Sequence, residues 1–153
     1  MHSYLLFTFT NSLFLVQKYA IMRYIARKHG LYGSNDVEAA KIDIIFDGII
    51  DFKGKQNGEL EIFNKAMENY GPKFERIIRS NDQSGPFLLG KQISFSDIIL
   101  ADVLLLYNSE RGASLTNYPY CEKLVKAFCA IPEVADYLAS EKRYPCKSNT
   151  LIA

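Results

Sequence analysis

Histidine is nearly missing from this chain: His2 and His29 are the only two among 153 residues. A histidine-based metal site or catalytic triad has almost nothing to be built from. Cysteine is scarce too. Cys121, Cys129 and Cys146 are odd in number and form no CxxC pair, so neither a disulfide framework nor a zinc site is supported. Free thiols in a reducing, cytoplasmic compartment are the expectation. Charge of one sign is absent as well. Eighteen basic residues stand against 17 acidic ones, a net charge of +1. That balance gives no electrostatic case for nucleic acid or for an acidic membrane surface. No internal repeat or low-complexity run occurs.

Long apolar runs are missing in the same way. Met1 to Val16 is apolar, but Thr8, Thr10, Asn11 and Ser12 interrupt it and it is too short to span a bilayer. A secretory signal would need a basic head, and only His2 is offered. Thr8-Phe9-Thr10 alternates like a strand, and Asn11-Ser12 could turn it. A hairpin, a signal or anchor, and an unstructured start all stay open for this segment.

What is present is core-forming residues, 48% of the chain, enough for one globular domain. The organising stretch is Ile93 to Leu106. It is apolar on nearly every side, the pattern of a helix buried all round. Ser94 can cap its first free amides, and Asp97, three residues on, can reach back to the amide of Ser94, as in a capping box. An aspartate beside an apolar run is expected to be held by hydrogen bonds and to mark a core helix.

Other helices must pack around this one. Gln17 to His29 carries Ala20, Ile21, Tyr24 and Ile25 at helical spacing, and Gly30 can close it in the left-handed region. Ser34-Asn35-Asp36 caps the next helix, from about Val37 to Lys53, with an apolar row of Val37, Ala40, Ile44 or Ile45, Gly48, Ile49 and Phe52. Asp43, Asp47 and Asp51 form a second row at spacing four. Like charges at that spacing repel, so the row reads either as a solvated face or as a site where a carboxylate meets a cation. Gly54 to Gly58 breaks the pattern.

A third helix starts near Glu59. Its stripe is Leu60, Phe63, Met67, Tyr70, Phe74 and Ile77, with Pro72 expected to kink it. Ser80 to Pro86 is a loop by composition, and Asn108 to Asn117 is a polar loop holding Gly112. Pro119 can open a helix with Leu124, Val125, Phe128 and Cys129 on its apolar face. Pro132 starts a short last helix, Glu133 to Ser140, and Lys142-Arg143-Tyr144-Pro145 opens an irregular tail. Every strong element is a helix, so the fold class is all-α.

The run Leu15 to Gly33 resembles the junction in cytosolic glutathione transferases where a thioredoxin-like domain hands over to an all-helical one. Ile93 to Leu106 resembles that family's buried helix with its Ser-x-x-Asp cap. The aspartate-bearing helix, Tyr70-Gly71-Pro72 and Ser114-Leu115 with Tyr118-Pro119 are similar too. The resemblance covers about Leu15 to Pro145 and leans to the alpha-like side of the alpha, mu, pi and sigma group. It implies a remnant of the thioredoxin-like domain over 1–33, a hairpin plus one helix with an atypical start over 1–14. The helical C-terminal domain, a bundle around the buried central helix, would occupy 34–153.

The same resemblance implies a glutathione site. The family's Gln-Ser or Gln-Thr pair contacts the γ-glutamyl end, and Gln17 holds the Gln position. Lys18 stands where the short hydroxyl would be, and brings charge without the same geometry. Asp51 stands where a partner-subunit aspartate meets the γ-glutamyl ammonium, while Asp43 and Asp47 are left to a solvated face. Asn69 replaces an arginine that often precedes the kink tyrosine.

Leu6 would fall at the family's cis-proline position. The family's catalytic hydroxyl, which stabilises the glutathione thiolate, would lie before this chain begins, and Tyr4 is no candidate for it. No catalytic residue is therefore assigned. The implied activity is conjugation of glutathione, a co-substrate and not a cofactor, to an apolar electrophile near the residues after Asp51 and the tail at Tyr144. It is expected in a full-length form, with little in this chain alone. A homodimer is left open. The alternative is a non-catalytic helical module that binds a protein or an apolar ligand.

Overall fold

A computed structural model describes residues 7–10, 13–54, 60–80, 84–106, 108 and 114–141. His2, Tyr4, Leu6, Gly112, Tyr144 and Cys146, on which sequence expectations fall, lie outside the described residues. The elements run β1 (Phe7–Thr10), β2 (Leu13–Leu15), α1 (Lys18–Lys28), α2 (Asp36–Gly54), α3 (Leu60–Arg79), α4 (Phe95–Leu105), α5 (Pro119–Cys129) and α6 (Pro132–Ala139). The hairpin, one of the readings open for the start, is found over its described residues. β1 and β2 pair antiparallel, Phe7 with Leu15 and Thr10 with Leu13, with an irregularity between Thr8 and Thr10.

The central helix is α4. Ser94 caps it in an extended conformation, and the reciprocal Ser94–Asp97 box is complete. One Asp97 oxygen accepts from the Ser94 amide at 2.8 Å and the Ser94 hydroxyl at 2.6 Å. The other accepts from the Leu88 amide at 2.8 Å. Burial raises the Asp97 carboxyl above its ordinary range, and these hydrogen bonds pull the other way. Two more bonds fix α4 to its neighbours. The Ser96 hydroxyl donates to the Ile42 carbonyl on α2 at 2.8 Å, and the Phe95 amide donates to the Leu31 carbonyl at 3.0 Å.

Phe95, Leu100, Ala101, Val103 and Leu104 are buried, Ile99 and Leu105 pack against the core, and Asp102 alone faces out. The helix is thus enclosed on all flanks but one. α2 and α5 pack against α4, α3 lies on α2 and α5, and α6 rests on α5. Pro119 and Pro132 each occupy the first helical turn, where no backbone donor is lost.

Local rules set the ends of α1 and α2. After α1, Gly30 sits at φ +69°. The Leu31 amide reaches the Ala26 carbonyl at 2.8 Å and the Gly30 amide reaches Arg27 at 3.4 Å, the double closure of a Schellman motif. Before α2, Asn35 accepts the Glu38 amide at 3.0 Å. Glu38 in turn accepts the Ser34 amide and hydroxyl, each at 2.7 Å.

The apolar rows need three corrections. On α2 the buried set is Ile42, Ile45, Phe46, Ile49 and Phe52, while Val37 and Ile44 are 68% and 61% exposed and Ala40 also faces out. This helix is apolar around most of its circumference, so periodicity does not choose its inward side; the Ser96 bond to Ile42 marks it. On α1, Ile21 and Ala26 are buried while Ala20 and Ile25 are exposed. On α3, Ile78 takes the buried place expected of Ile77. Phe63, Met67 and Phe74 are buried and Tyr70 packs against the core as expected, and α3 carries Pro72 within one helix. A Cβ on Gly71 would lie 2.3 Å from the Tyr118 ring, so glycine here lets α5 approach α3. The Tyr118 hydroxyl completes that contact by donating to the Met67 carbonyl at 3.0 Å.

Candidate functional site

Gln17 stands at the head of α1, just after the hairpin. Its backbone is at φ +73°, ψ 112°, the one positive φ among the described non-glycine residues. Its carbonyl accepts the Ile21 amide at 3.1 Å, but its side chain makes no capping bond and is exposed. An α1 start without a side-chain cap leaves amides pointing outward with the positive end of the helix dipole. Lys18 is exposed beside it, its ammonium 5.0 Å from the centre of the Tyr19 ring. A side chain there adds positive charge, and a strained residue of this kind is a common companion of ligand binding.

Asp51 lies on α2 and is exposed. Among the described residues its carboxylate has no hydrogen bond or ion pair, and nothing joins it to Gln17 or Lys18. So the structure sets Gln17 and Lys18 together and Asp51 apart from them.

The remainder of the aspartate row is a different matter. Asp43 is not part of a solvated face, contrary to expectation. Its Oδ1 accepts Nε of Arg23 at 3.0 Å and the Tyr32 hydroxyl at 2.6 Å, and its side chain is 39% exposed. Asp47 keeps its solvent, at 71% exposed, yet it too is paired, with Arg23 Nη2 at 2.9 Å. The compensating cation comes from α1 and not from α2 itself. That is why a search for an interleaved lysine along the row misses it. Arg23 also lies over the Phe46 ring, 4.5 Å from its centre, and Arg27 covers Tyr32 at 4.2 Å.

Burial disfavours the charge on Arg23, but the bonds to Asp43 and Tyr32 outweigh it and hold the guanidinium above its usual value. Burial, then the Asp43 carboxylate, pushes the Tyr32 phenol up.

The thiol of Cys121 is fully buried, and burial together with the Glu75 carboxylate holds it far above the ordinary thiol range. It is not a nucleophile at neutral pH. Among the described residues no group of three or more His, Cys, Asp or Glu could hold a metal ion, and no helix is long and apolar enough to cross a membrane. Along α3 a groove of about 520 Å³ is lined by Ile62, Lys65, Ala66, Glu68, Asn69 and Tyr70. Asn69, the departure noted in the sequence, is on its wall.

Comparison with known proteins agrees with this architecture. Residues 45–141 match the family model described as Glutathione S-transferase, C-terminal domain. Glutathione S-transferase P 1 of Xenopus laevis is 35% identical over 138 residues, covering 84% of this chain and 65% of the relative. Glutathione S-transferase A4 of Homo sapiens is 32% identical over 145 residues, covering 86% of this chain and 64% of the relative. The chain therefore spans a little under two thirds of the length of these curated relatives. Among solved structures, monomeric Na-GST-3, a glutathione S-transferase from the hookworm Necator americanus, superposes with a TM-score of 0.77 at 21% identity, covering 90% of this chain and 73% of that one. At that identity the likeness concerns the fold.

Proposed function

The chain belongs to the glutathione S-transferase family, and on that premise we propose that it binds glutathione through Gln17, Lys18 and Asp51. Its role is to supply the helical half of a cytoplasmic enzyme that conjugates the glutathione thiolate to an apolar electrophile. Gln17 and the head of α1 take the γ-glutamyl carboxylate; Lys18 adds charge where the family has a short hydroxyl. Asp51 meets the γ-glutamyl ammonium of a second copy. Residues 1–33 act as part of the thioredoxin-like unit, and 34–153 as the helical domain.

The observation that carries this reading is Gln17. Its left-handed backbone and uncommitted, exposed side chain stand at an uncapped helix start, which suits an anion. The carboxylate of Asp51, unpaired among the described residues, supports it. So does its face: Val37 and Ile44 are exposed at seven-residue steps from it on α2, an apolar strip fit to be covered by another copy.

No thiol-activating hydroxyl is assigned to this chain. Purified chain should bind to immobilised glutathione and show little conjugation of a chloronitrobenzene above the uncatalysed rate. Gln17→Ala should wash off the resin earlier than the parent. Equal retention of the two, or rapid turnover, would count against the proposal. Light scattering should give twice the chain mass; the chain mass alone would remove Asp51 from the site.

A second reading, an apolar-ligand binder without catalysis, draws on the α3 groove with Ile62, Ala66 and Tyr70 on its wall. A fluorescent apolar probe displaced by Ala66→Trp, and indifferent to excess glutathione, would favour it.

A further inference from the structure

The ion-pair cluster between α1 and α2 has no part in the function as proposed so far. It is also more elaborate than two surface helices need. We infer that Arg23 is a positioning residue for the glutathione subsite at the head of α1; this rests on the glutathione reading above.

The argument begins with how little holds α1. Of its eleven residues only Ile21 and Ala26 are buried, with Tyr19 and Met22 half-buried against the core. Its C-terminal end is pinned to α4 and its approach: Phe95 donates to the Leu31 carbonyl at 3.0 Å and Gln92 Nε2 to the Gly30 carbonyl at 3.2 Å. A rod pinned at one end can still swing at the other. Gln17 and Lys18 are at the other end, where among the described residues the ring contact to the bundle is the Tyr19 edge against Phe46, 5.4 Å between centres.

Arg23 is the second fixed point. Its guanidinium reaches two carboxylates one turn apart on α2, Asp43 at 3.0 Å and Asp47 at 2.9 Å, while lying on Phe46. A planar fork held by two acceptors and a ring face has a set direction as well as a set position. The acceptors are themselves held. Tyr32 donates to both Asp43 oxygens, at 2.6 and 2.7 Å, and its ring stacks on Phe95 of the central helix, 5.4 Å between centres. The chain of contacts runs from the core through Tyr32 and Asp43 to Arg23, and so to the tilt of α1. Exposed ion pairs add little to stability in general, so the gain from this one is orientation. A misplacement of about 1 Å at a binding group costs affinity steeply.

The test is a calorimetric titration of the 153-residue chain with glutathione, run as a double-variant cycle. Arg23→Met should weaken binding about tenfold with far-UV helix content unchanged. In a Gln17→Ala background the same change should alter binding by less than about twofold, because the group being positioned is gone. Arg23→Lys, a point charge that satisfies one carboxylate, should recover only part of the loss. Asp47→Asn, which removes one exposed arm and leaves the core untouched, should weaken binding in the same direction and decides the matter if Arg23→Met does not fold. Wild-type affinity in both Arg23→Met and Asp47→Asn would overturn the inference, as would an equal loss in both Gln17 backgrounds. A parent chain that binds no glutathione would overturn the glutathione reading and this inference with it. A parent that binds normally beside unaffected Arg23→Met and Asp47→Asn overturns the inference alone.

Discussion

The Leu88 amide, nine residues before Asp97, donates at 2.8 Å to that carboxylate inside the first turn of the central helix. A single buried carboxylate thus closes both the helix start and the turn that delivers the chain to it. Removing that carboxylate takes a buried acceptor from the Leu88 amide and from the Ser94 amide and hydroxyl. Asp97→Ala should cost about 3 kcal/mol or more, measured by urea unfolding. Asp97→Asn keeps one acceptor and should cost less. A cost below about 0.5 kcal/mol for Asp97→Ala would mean that water reaches these donors.

Leu104 is fully buried in the middle of the bundle. Leu104→Ala removes contacts that no neighbour can replace, and should cost about 2–5 kcal/mol. An unchanged melting temperature would show that the central helix is misplaced.

Gly71 and Tyr118 make a tight approach of α3 and α5. Gly71→Ala drives a methyl into the Tyr118 ring and should destabilise by about 1–3 kcal/mol. Shrinking the ring as well, with Tyr118→Ala, should make the added methyl harmless, so the two changes should be strongly non-additive. Simple additivity in thermal melts would contradict the packing described.

Tyr32 gives a pH dependence with a definite sign. Its phenol donates to Asp43, and burial plus that carboxylate raise its folded value. The stability it contributes is therefore fully present below the unfolded value, about 10, and is lost as the pH rises through the higher folded value. Wild type should exceed Tyr32→Phe by about 1 kcal/mol at pH 8, and the difference should shrink above pH 10. A difference that grows with pH would mean that the phenolate is the favoured partner.

The central helix was legible because two independent signals coincide there: a stretch apolar on nearly every side and the Ser94–Asp97 pair. Gly30, Pro119 and Pro132 marked ends correctly because backbone chemistry at those positions admits few alternatives. The inward side of α2 was not legible. With Ile42, Ile44, Ile45, Ile49 and Ile50 spread around the helix, the choice is made by the bundle and not by the helix's own period. Arg23 was invisible for a different reason. Its partners lie 20 and 24 residues away, and nothing in the local pattern of α1 or α2 names the other. Gln17 and Asp51 entered through family resemblance; the strained backbone of the first and the exposure of the second are visible only in three dimensions.

The most direct test of the account is a calorimetric titration of glutathione into wild type and Asp51→Ala, with melting temperatures taken alongside. Asp51 is exposed and, among the described residues, unpaired, so its loss should leave the melting temperature within about 1 °C. Affinity for glutathione should fall by about tenfold, the worth of one charged hydrogen bond. Matching titration curves for the two proteins, or no heat of binding from either, would contradict the claim that this helical domain holds the γ-glutamyl end.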